Sequence, residues 1–413
     1  MPLRFKSLTL KRFRSVISSE LSFGNPTFLI GRNGAGKSNI VDALSFLADA
    51  VTNPLEVAFD KRGGIESVRN RGSGPGYPPN LGFRVEFDGS YAIPKEDQRP
   101  VIGDFAFEIR AKGSGGFEVV RERCFLSSPN GPDQFYDRKL GHPIDSTLPF
   151  LREESWQSIA QGYLLLPWMG GIHGFREVNS LLAGIRAYSI DPSQLRRPQD
   201  PEVGYMLRSD GSNAGSVLKN LERTDPPAVS QICDLLAQIT PKTSGIKTVK
   251  HGKQLTLEFQ QKWGENKKLK FEAYSASDGT LRALGILIAL MQKPPATLLV
   301  IEEPESSLHP GALDALLQVI QSRAEHLQVL ITTHSSDLLD AKWLKPENLR
   351  LVMWDGGSEI KPVSARAVKM LRSHLATAGE LMRADALEEP LPLPLPLPQL
   401  QVHPEFNLFP DHK

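Results

Sequence analysis

The sequence predicts an α/β fold: an open, mostly parallel sheet whose two halves are separated by an antiparallel β subdomain and a mainly helical insertion. Three observations predict it. The run GRNGAGKS, Gly31 to Ser38, lies between a short apolar strand, Thr27 to Ile30, and a helix. Far downstream, the apolar strand Thr297 to Ile301 ends in the acids of LLVIEEPE, Leu298 to Glu305. A third apolar strand, Gln328 to Thr332, ends near His334. In all three, polar candidates follow a short apolar strand, which is where an open parallel sheet presents ligand-binding groups.

Along the chain, Leu3 to Leu10 alternates apolar and polar side chains as a strand does, and Lys11 to Ser15 continues as a basic turn. After Ser38, Ile40, Leu44 and Leu47 recur on one face with Val41 and Ala48 beside them, predicting a helix with a buried stripe over 39–50. Arg62 to Pro79 is rich in Gly, Pro, Arg and Asn and predicts a mobile loop. FRVEF, DFAFEIR and GFEVVRERCF then alternate with turn signals between Leu81 and Phe125. The stretch from Pro149 to about Leu221 reads as mainly helical, and Lys247 to Tyr274 returns to strands. A helix over Gly279–Met291 is stopped by Pro294–Pro295, and another covers about Ala312 to Ala324. The closing residues include PLPLPLPLP, which can form neither helix nor central strand and predicts a disordered polyproline-type tail. The expected organisation is an N-terminal half-lobe at 1–60, loop and β subdomain at 61–150, helical insertion at 151–245, C-terminal half-lobe at 246–385 and tail at 386–413.

Composition narrows the class. The 413 residues are 40% hydrophobic and 23% charged, and 48 basic against 47 acidic side chains leave a formal charge of +1, so no global basic field calls for nucleic acid. A local basic groove stays open. Cys124 and Cys233 have no paired spacing for zinc or a disulfide framework. The N-terminus lacks the apolar core of a signal peptide, and the longest apolar stretch, Leu284 to Met291, falls far short of the roughly 20 residues a bilayer requires. The expectation is a soluble cytoplasmic protein with no membrane partner.

The chemistry follows from residue types. Gly31, Gly34 and Gly36 let backbone wrap closely around phosphate, and the helix N-terminus behind them favours anionic oxygens. Lys37 reaches the β- and γ-phosphates and Ser38 offers its hydroxyl to Mg²⁺; Asn33 and Asn39 complete the nucleotide-contacting stretch. Of the neighbouring acids Glu302 and Glu303, one must hold the Mg²⁺ shell while the other orients or deprotonates the attacking water. Adjacent strand residues point to opposite faces, so the two take different tasks unless the strand has already broken, as Pro304 suggests. A neutral His334 could hydrogen-bond the γ-phosphate. The small hydroxyl-bearing segment Ser275 to Arg282 opens a helix and offers a second anion-binding surface, which a chain that already has a P-loop would use for a neighbour's γ-phosphate. Plain N-capping by Ser277 or Asp278 is the alternative there.

This set resembles the ABC-type ATPase heads of the SMC/RecF/OLD-like group, specifically over roughly 1–50 and 270–340 and more loosely over 341–385. The resemblance makes Gly31–Ser38 Walker A and Ala276–Thr280 the ABC signature, with Ser277 its key serine and Gly279 its glycine. It makes Glu302 the metal acid of Walker B, Glu303 the catalytic glutamate, Ser306–His309 the D-loop and His334 the switch histidine. KRFRS resembles the group's opening, which implies Arg12 or Arg14 at the nucleotide. Glu302, Asp278 and His309 depart from the transporter pattern and match the OLD-like branch better. Gln157 and Gln161 stand as candidates for the Q-loop; Arg69 is either an arginine acting near the γ-phosphate or an exposed loop arginine. The resemblance implies ATP and Mg²⁺ as cofactors and an ATP-dependent head-to-tail homodimer. The stretch after His334 is short and contains no Asp-x-Asp, so the expectation is an ATPase without its own Toprim nuclease, acting on a separate nuclease or effector, plausibly in bacterial anti-phage defence. The alternative is a RecF-like ATPase that binds DNA through Arg4, Lys6, Lys11, Arg12 and Arg14.

Overall fold

The computed structural model describes residues 2–70, 80–92, 98–152, 162–241, 243–263, 267–388 and 405–411. Its centre is a six-stranded sheet assembled from three distant parts of the chain. The strands are β3 (Thr27–Ile30), β9 (Ile185–Tyr188), β13 (Leu298–Glu302), β14 (Gln328–Thr333), β15 (Leu349–Trp354) and β16 (Ser358–Pro362), in the order β16-β15-β3-β14-β13-β9. All neighbours pair in parallel except the edge hairpin β15–β16.

Every residue of β3 and β14 is buried, and Leu298 to Ile301 of β13 are buried as well, which fits strands covered on both faces. On one face Leu29, Leu298, Val300 and Leu330 join the helix Lys37–Thr52 and a second sheet. On the other, Phe28, Leu299, Ile301 and Ile331 meet the helices Pro226–Ile239, Asp278–Met291 and Pro310–Arg323.

The segment 151–245, expected as a mainly helical insertion, also supplies β9 to the central sheet. With β14 on one side, the apolar strand β13 needs partners for the backbone groups on its other edge, and β9 provides them from Ile185 to Tyr188. Thr297 N–H bonds the Gly184 carbonyl at 2.9 Å just before that pairing begins. The run IRAY is too short for a period of two to stand out within helical sequence.

The second sheet is antiparallel: β1 (Arg4–Phe13), β2 (Val16–Ser22), β4 (Leu81–Tyr91), β5 (Arg99–Ala111), β6 (Phe117–Ser128), β7 (Gly131–Lys139) and β8 (Asp145–Ser146), ordered β2-β1-β4-β5-β6-β7-β8. Its inner face meets the P-loop helix through aromatic rings. Phe46 stacks on Phe83 at 5.3 Å between centroids, and Phe83 stacks on Phe107 at 5.1 Å. That packing fixes the helix that carries Lys37 at its start. A three-stranded sheet, β10 (Thr243–His251), β11 (Gln254–Trp263) and β12 (Lys267–Glu272), leads into the helix Asp278–Met291.

The tail expected from 386 onward divides in two. Residues 389–404, which contain PLPLPLPLP, lie outside the described residues. Residues 405–411 are not a free tail: they dock on the outer face of the antiparallel sheet. Leu408 is buried over Gly82, where a Cβ would stand 2.2 Å from its Cδ1. The Arg121 guanidinium lies 4.1 Å from the centre of the Phe409 ring, and Arg123 Nη1 donates to the Pro410 carbonyl at 2.7 Å. Apolar burial of Leu408 and the arginine contacts outweigh the absence of regular structure in this short run. Gly82→Val fills the Leu408 slot, at a cost of about 1–3 kcal/mol. After proteolytic cleavage between the body and Glu405, the wild type is expected to retain the C-terminal fragment through gel filtration and the variant to lose it.

A candidate nucleotide site on level strand ends

Parallel register brings the predicted site together. Thr333 pairs with Ile30 and Thr332 with Glu302, so β3, β14 and β13 end within one residue of a common level. Gly31, His334 and Glu303 each follow directly. Ser38 comes to lie beside the Glu302 carboxylate, closing the long sequence gap between loop and acids.

In the loop itself, Gly34 and Gly36 adopt φ of +81° and +102°, a region side chains disfavour. Gly31 and Gly36 also have packing reasons to lack a Cβ. At Gly31 it would lie 2.4 Å from the Val352 carbonyl oxygen, and at Gly36 1.9 Å from Ser358 Oγ. The hairpin β15–β16 therefore buttresses the loop, a contact sequence reasoning did not foresee. Ser358 Oγ donates to the Ala35 carbonyl at 2.7 Å and meets Ser15 Oγ at 2.7 Å; Asn39 Nδ2 donates to the same Ser15 hydroxyl at 2.6 Å. Asn33 and Ser38 are exposed.

Lys37 is buried, and its Nζ donates to the carbonyls of Gly31 at 2.7 Å and Arg32 at 3.2 Å. Burial holds its ammonium below the usual lysine range, while Glu303 and Glu305 oppose that shift. Burial also pushes the Glu302 carboxyl up; the Ser38 hydrogen bond opposes it, and Glu303 and Asp42 add to it. A divalent cation beside Ser38 and Glu302 would relieve this crowding of negative charge. One carboxylate, one hydroxyl and substrate phosphates are the donor set Mg²⁺ commonly uses, so these residues fit it. Among the described residues no group of three or more His, Cys, Asp or Glu could hold a metal without such phosphates.

The strand breaks one residue before Pro304. Glu303 takes φ +44°, turning its carboxylate out of the β alternation and toward His334, whose Nδ1 lies 3.3 Å from Glu303 Oε1. Both side chains are about two-fifths exposed, as groups meeting a substrate would be. Glu303 N–H donates to the Thr332 carbonyl at 3.0 Å, which ties the turn to β14.

Sequence reasoning gave Glu305 no role. Its Oε1 accepts from Thr333 Oγ1 at 2.7 Å and from His334 N–H at 3.3 Å, so it couples the acid loop to the end of β14. Arg282, on the helix that follows Ser277, was also missed. Burial lowers its pKa against the opposing pull of Asp191, Asp278, Glu303 and Glu305. The recurrence of acids in EEPE and a cation within the helix Asp278–Met291 were the sequence signals available.

Ser277 is exposed and caps the helix Asp278–Met291, accepting from Thr280 N–H at 3.2 Å. Gly279 abuts the loop after β13, where a Cβ would lie 2.5 Å from the Ser307 carbonyl oxygen. His309 caps the next helix through Nδ1. Arg14 is held by Asp42 of the P-loop helix at 2.5 Å, and Arg62 bonds the same carboxylate at 2.7 Å. Arg69 pairs with Glu66 at 2.7 Å and is mostly shielded, so it is not an exposed loop arginine. Gln157 and Gln161 lie outside the described residues. The basic residues of the DNA alternative are partly engaged: Lys6 with Asp88, Arg4 with the Glu325 carbonyl and Arg14 with Asp42. Among the described residues no helix is long and apolar enough to cross a membrane.

Residues 27–155 and 172–340 match the family described as "AAA domain, putative AbiEii toxin, Type IV TA system". The Old nuclease of Escherichia phage P2 is 21% identical over 376 residues, covering 83% of this chain and 58% of the phage protein. This chain thus spans little more than half the length of that relative. A crystal structure of an SMC head bound to the C-terminal winged-helix domain of ScpA superposes with a TM-score of 0.50 at 15% identity, over 88% of this chain and 99% of that one. A second SMC head, bound to the C-terminal domain of ScpA and derived from Pyrococcus furiosus, gives 0.48 at 14% identity, over 91% of this chain and 100% of that one.

Proposed function

Because this chain belongs to the AAA domain family that it matches over more than half its length, we propose that it hydrolyses ATP and uses the cycle to switch a separate effector. Its head is of the SMC/OLD-like ATPase kind. The observation that carries the proposal is the level ending of β3, β14 and β13, which sets Ser38 beside Glu302.

On ATP binding, Lys37 exchanges the carbonyls of Gly31 and Arg32 for the β- and γ-phosphates, which supply the negative charge its buried ammonium lacks. Asn33, Gly34, Gly36 and Asn39 line the phosphate cradle; Arg14 approaches the nucleotide only by leaving Asp42. Ser38 and Glu302 would hold Mg²⁺, which when bound would neutralise charge on the phosphates. Glu303 takes a proton from water as the water oxygen bonds the γ-phosphorus and the bridging oxygen leaves with ADP. His334 hydrogen-bonds the γ-phosphate and holds Glu303 in place.

Ser277 and Gly279 serve a second copy. An exposed serine at the positive end of a 14-residue helix suits the γ-phosphate of a neighbour's ATP, so two heads close around two nucleotides and part after hydrolysis. Such a bridge exists only with ATP bound, which is the differential affinity a switch requires. The phage relative is a nuclease of which this chain matches 58%, which supports a nuclease as the separate effector; anti-phage defence is the setting proposed for the pair.

Ser277→Arg tests the shared site. ATP affinity of the single head should stay within about two-fold, while light scattering should find no ATP-dependent doubling of mass. A variant that still doubles its mass would sink the trans-site reading.

A further inference from the structure

We propose that Trp354 is the platform on which the base of the bound nucleotide stacks; this rests on the nucleotide reading above and adds a base subsite to it. Trp354 ends β15, is 59% exposed, and lies two residues beyond Val352, whose carbonyl oxygen presses on Gly31. At about 3.3 Å per residue, that sets it roughly 7 Å further along the strand, toward the edge where the phosphate loop opens.

Cross-strand register fixes the face of the sheet from which the ring projects. Trp354 pairs directly with Ser358 in the antiparallel hairpin, and directly opposed residues share a face of the sheet. Ser358 faces the loop: its hydroxyl bonds the Ala35 carbonyl and occupies the space a Gly36 side chain would need. Val352 and Ile360, the next pair on that face, are buried in the cluster that includes Ala35, Ile40 and Leu44. One face of the hairpin thus runs from that core to the loop, and the Trp354 indole is the exposed end of the row.

The other aromatic rings near the loop are used elsewhere. Phe13, beside Arg14, is fully buried against Phe46 and Phe83, and Phe28 is buried against Trp343. Tyr274, 80% exposed, precedes the signature helix at the end of the three-stranded sheet. Among the described residues, Trp354 is the exposed ring whose strand register places it on the loop face. A bare indole beside a phosphate cradle suits a flat heteroaromatic base, and stacking tolerates any base because every base has a π-face.

The test measures equilibrium binding of Mg·ATP and of magnesium tripolyphosphate, which lacks nucleoside, to the full chain. Trp354→Ala should weaken ATP roughly ten-fold and leave tripolyphosphate unchanged, while Trp354→Phe should recover most of the loss. Wild-type tryptophan emission should be quenched by ATP, with that quench lost in Trp354→Ala. Normal ATP affinity in Trp354→Ala, with wild-type quenching, would overturn the stacking role alone. Equal weakening of ATP and tripolyphosphate would overturn it too, since the loss would then lie in the cradle. Wild-type protein that binds neither ligand would overturn the nucleotide reading and this inference together.

Discussion

Lys37→Ala is expected to remove ATP binding at concentrations that saturate the wild type. Two charge-assisted hydrogen bonds to phosphate, each worth about 1.5–3 kcal/mol, correspond to roughly a hundred-fold or greater rise in Kd. The thermal readout separates this loss from misfolding. Buried Lys37 is held below its usual pKa by desolvation, so the ligand-free fold gains little from its charge. The variant should keep about the wild-type unfolding temperature without nucleotide, yet lose the rise that saturating ATP confers on the wild type. A variant still stabilised by ATP to the wild-type extent would remove Lys37 from the phosphate site.

Glu303→Gln should separate binding from chemistry. The substitution keeps shape and removes the group proposed to accept the water proton, a general-base role worth about 100- to 10,000-fold in rate. ATP affinity should hold or tighten, because a negative group facing the γ-phosphate is gone. Closed dimers should then accumulate on ATP, seen as a doubled mass that persists through gel filtration, while phosphate release nearly stops. Glutamine suits the left-handed backbone at this position about as well as glutamate, so the fold should be untouched. Turnover at the wild-type rate would take Glu303 out of the proton-accepting role.

The parts legible in the sequence were those with a strong local signature. Thr27–Ile30, GRNGAGKS and the following stripe of Ile40, Leu44 and Leu47 announce strand, loop and helix in one short contiguous stretch. The adjoining acids Glu302 and Glu303 announce themselves by following an unbroken apolar run. What stayed hidden depends on pairing between distant segments. Nothing in IRAY says that it borders β13, and nothing in DGGSEIK says that Ser358 fills the space behind Gly36. The turn at Glu303 was anticipated as an option through Pro304, but the residue that adopts the left-handed conformation is the acid itself. Leu408 was obscured by its neighbours: a proline-rich approach masks a short apolar anchor whose partner, Gly82, belongs to a strand near the other end of the chain.

The level strand ends also set a timetable for synthesis. β3 lies between β14 and β15, so both of its hydrogen-bonded neighbours are encoded much later in the chain than β3 itself. At about 5–20 residues per second, the ribosome takes roughly 15–60 s to deliver β14 after β3 has been made. Throughout that interval the phosphate loop exists as sequence but lacks its sheet, and an apolar strand with two open edges must be shielded from its neighbours in the polysome. The framed phosphate loop therefore arrives late, as a mark that synthesis has passed the hairpin β15–β16.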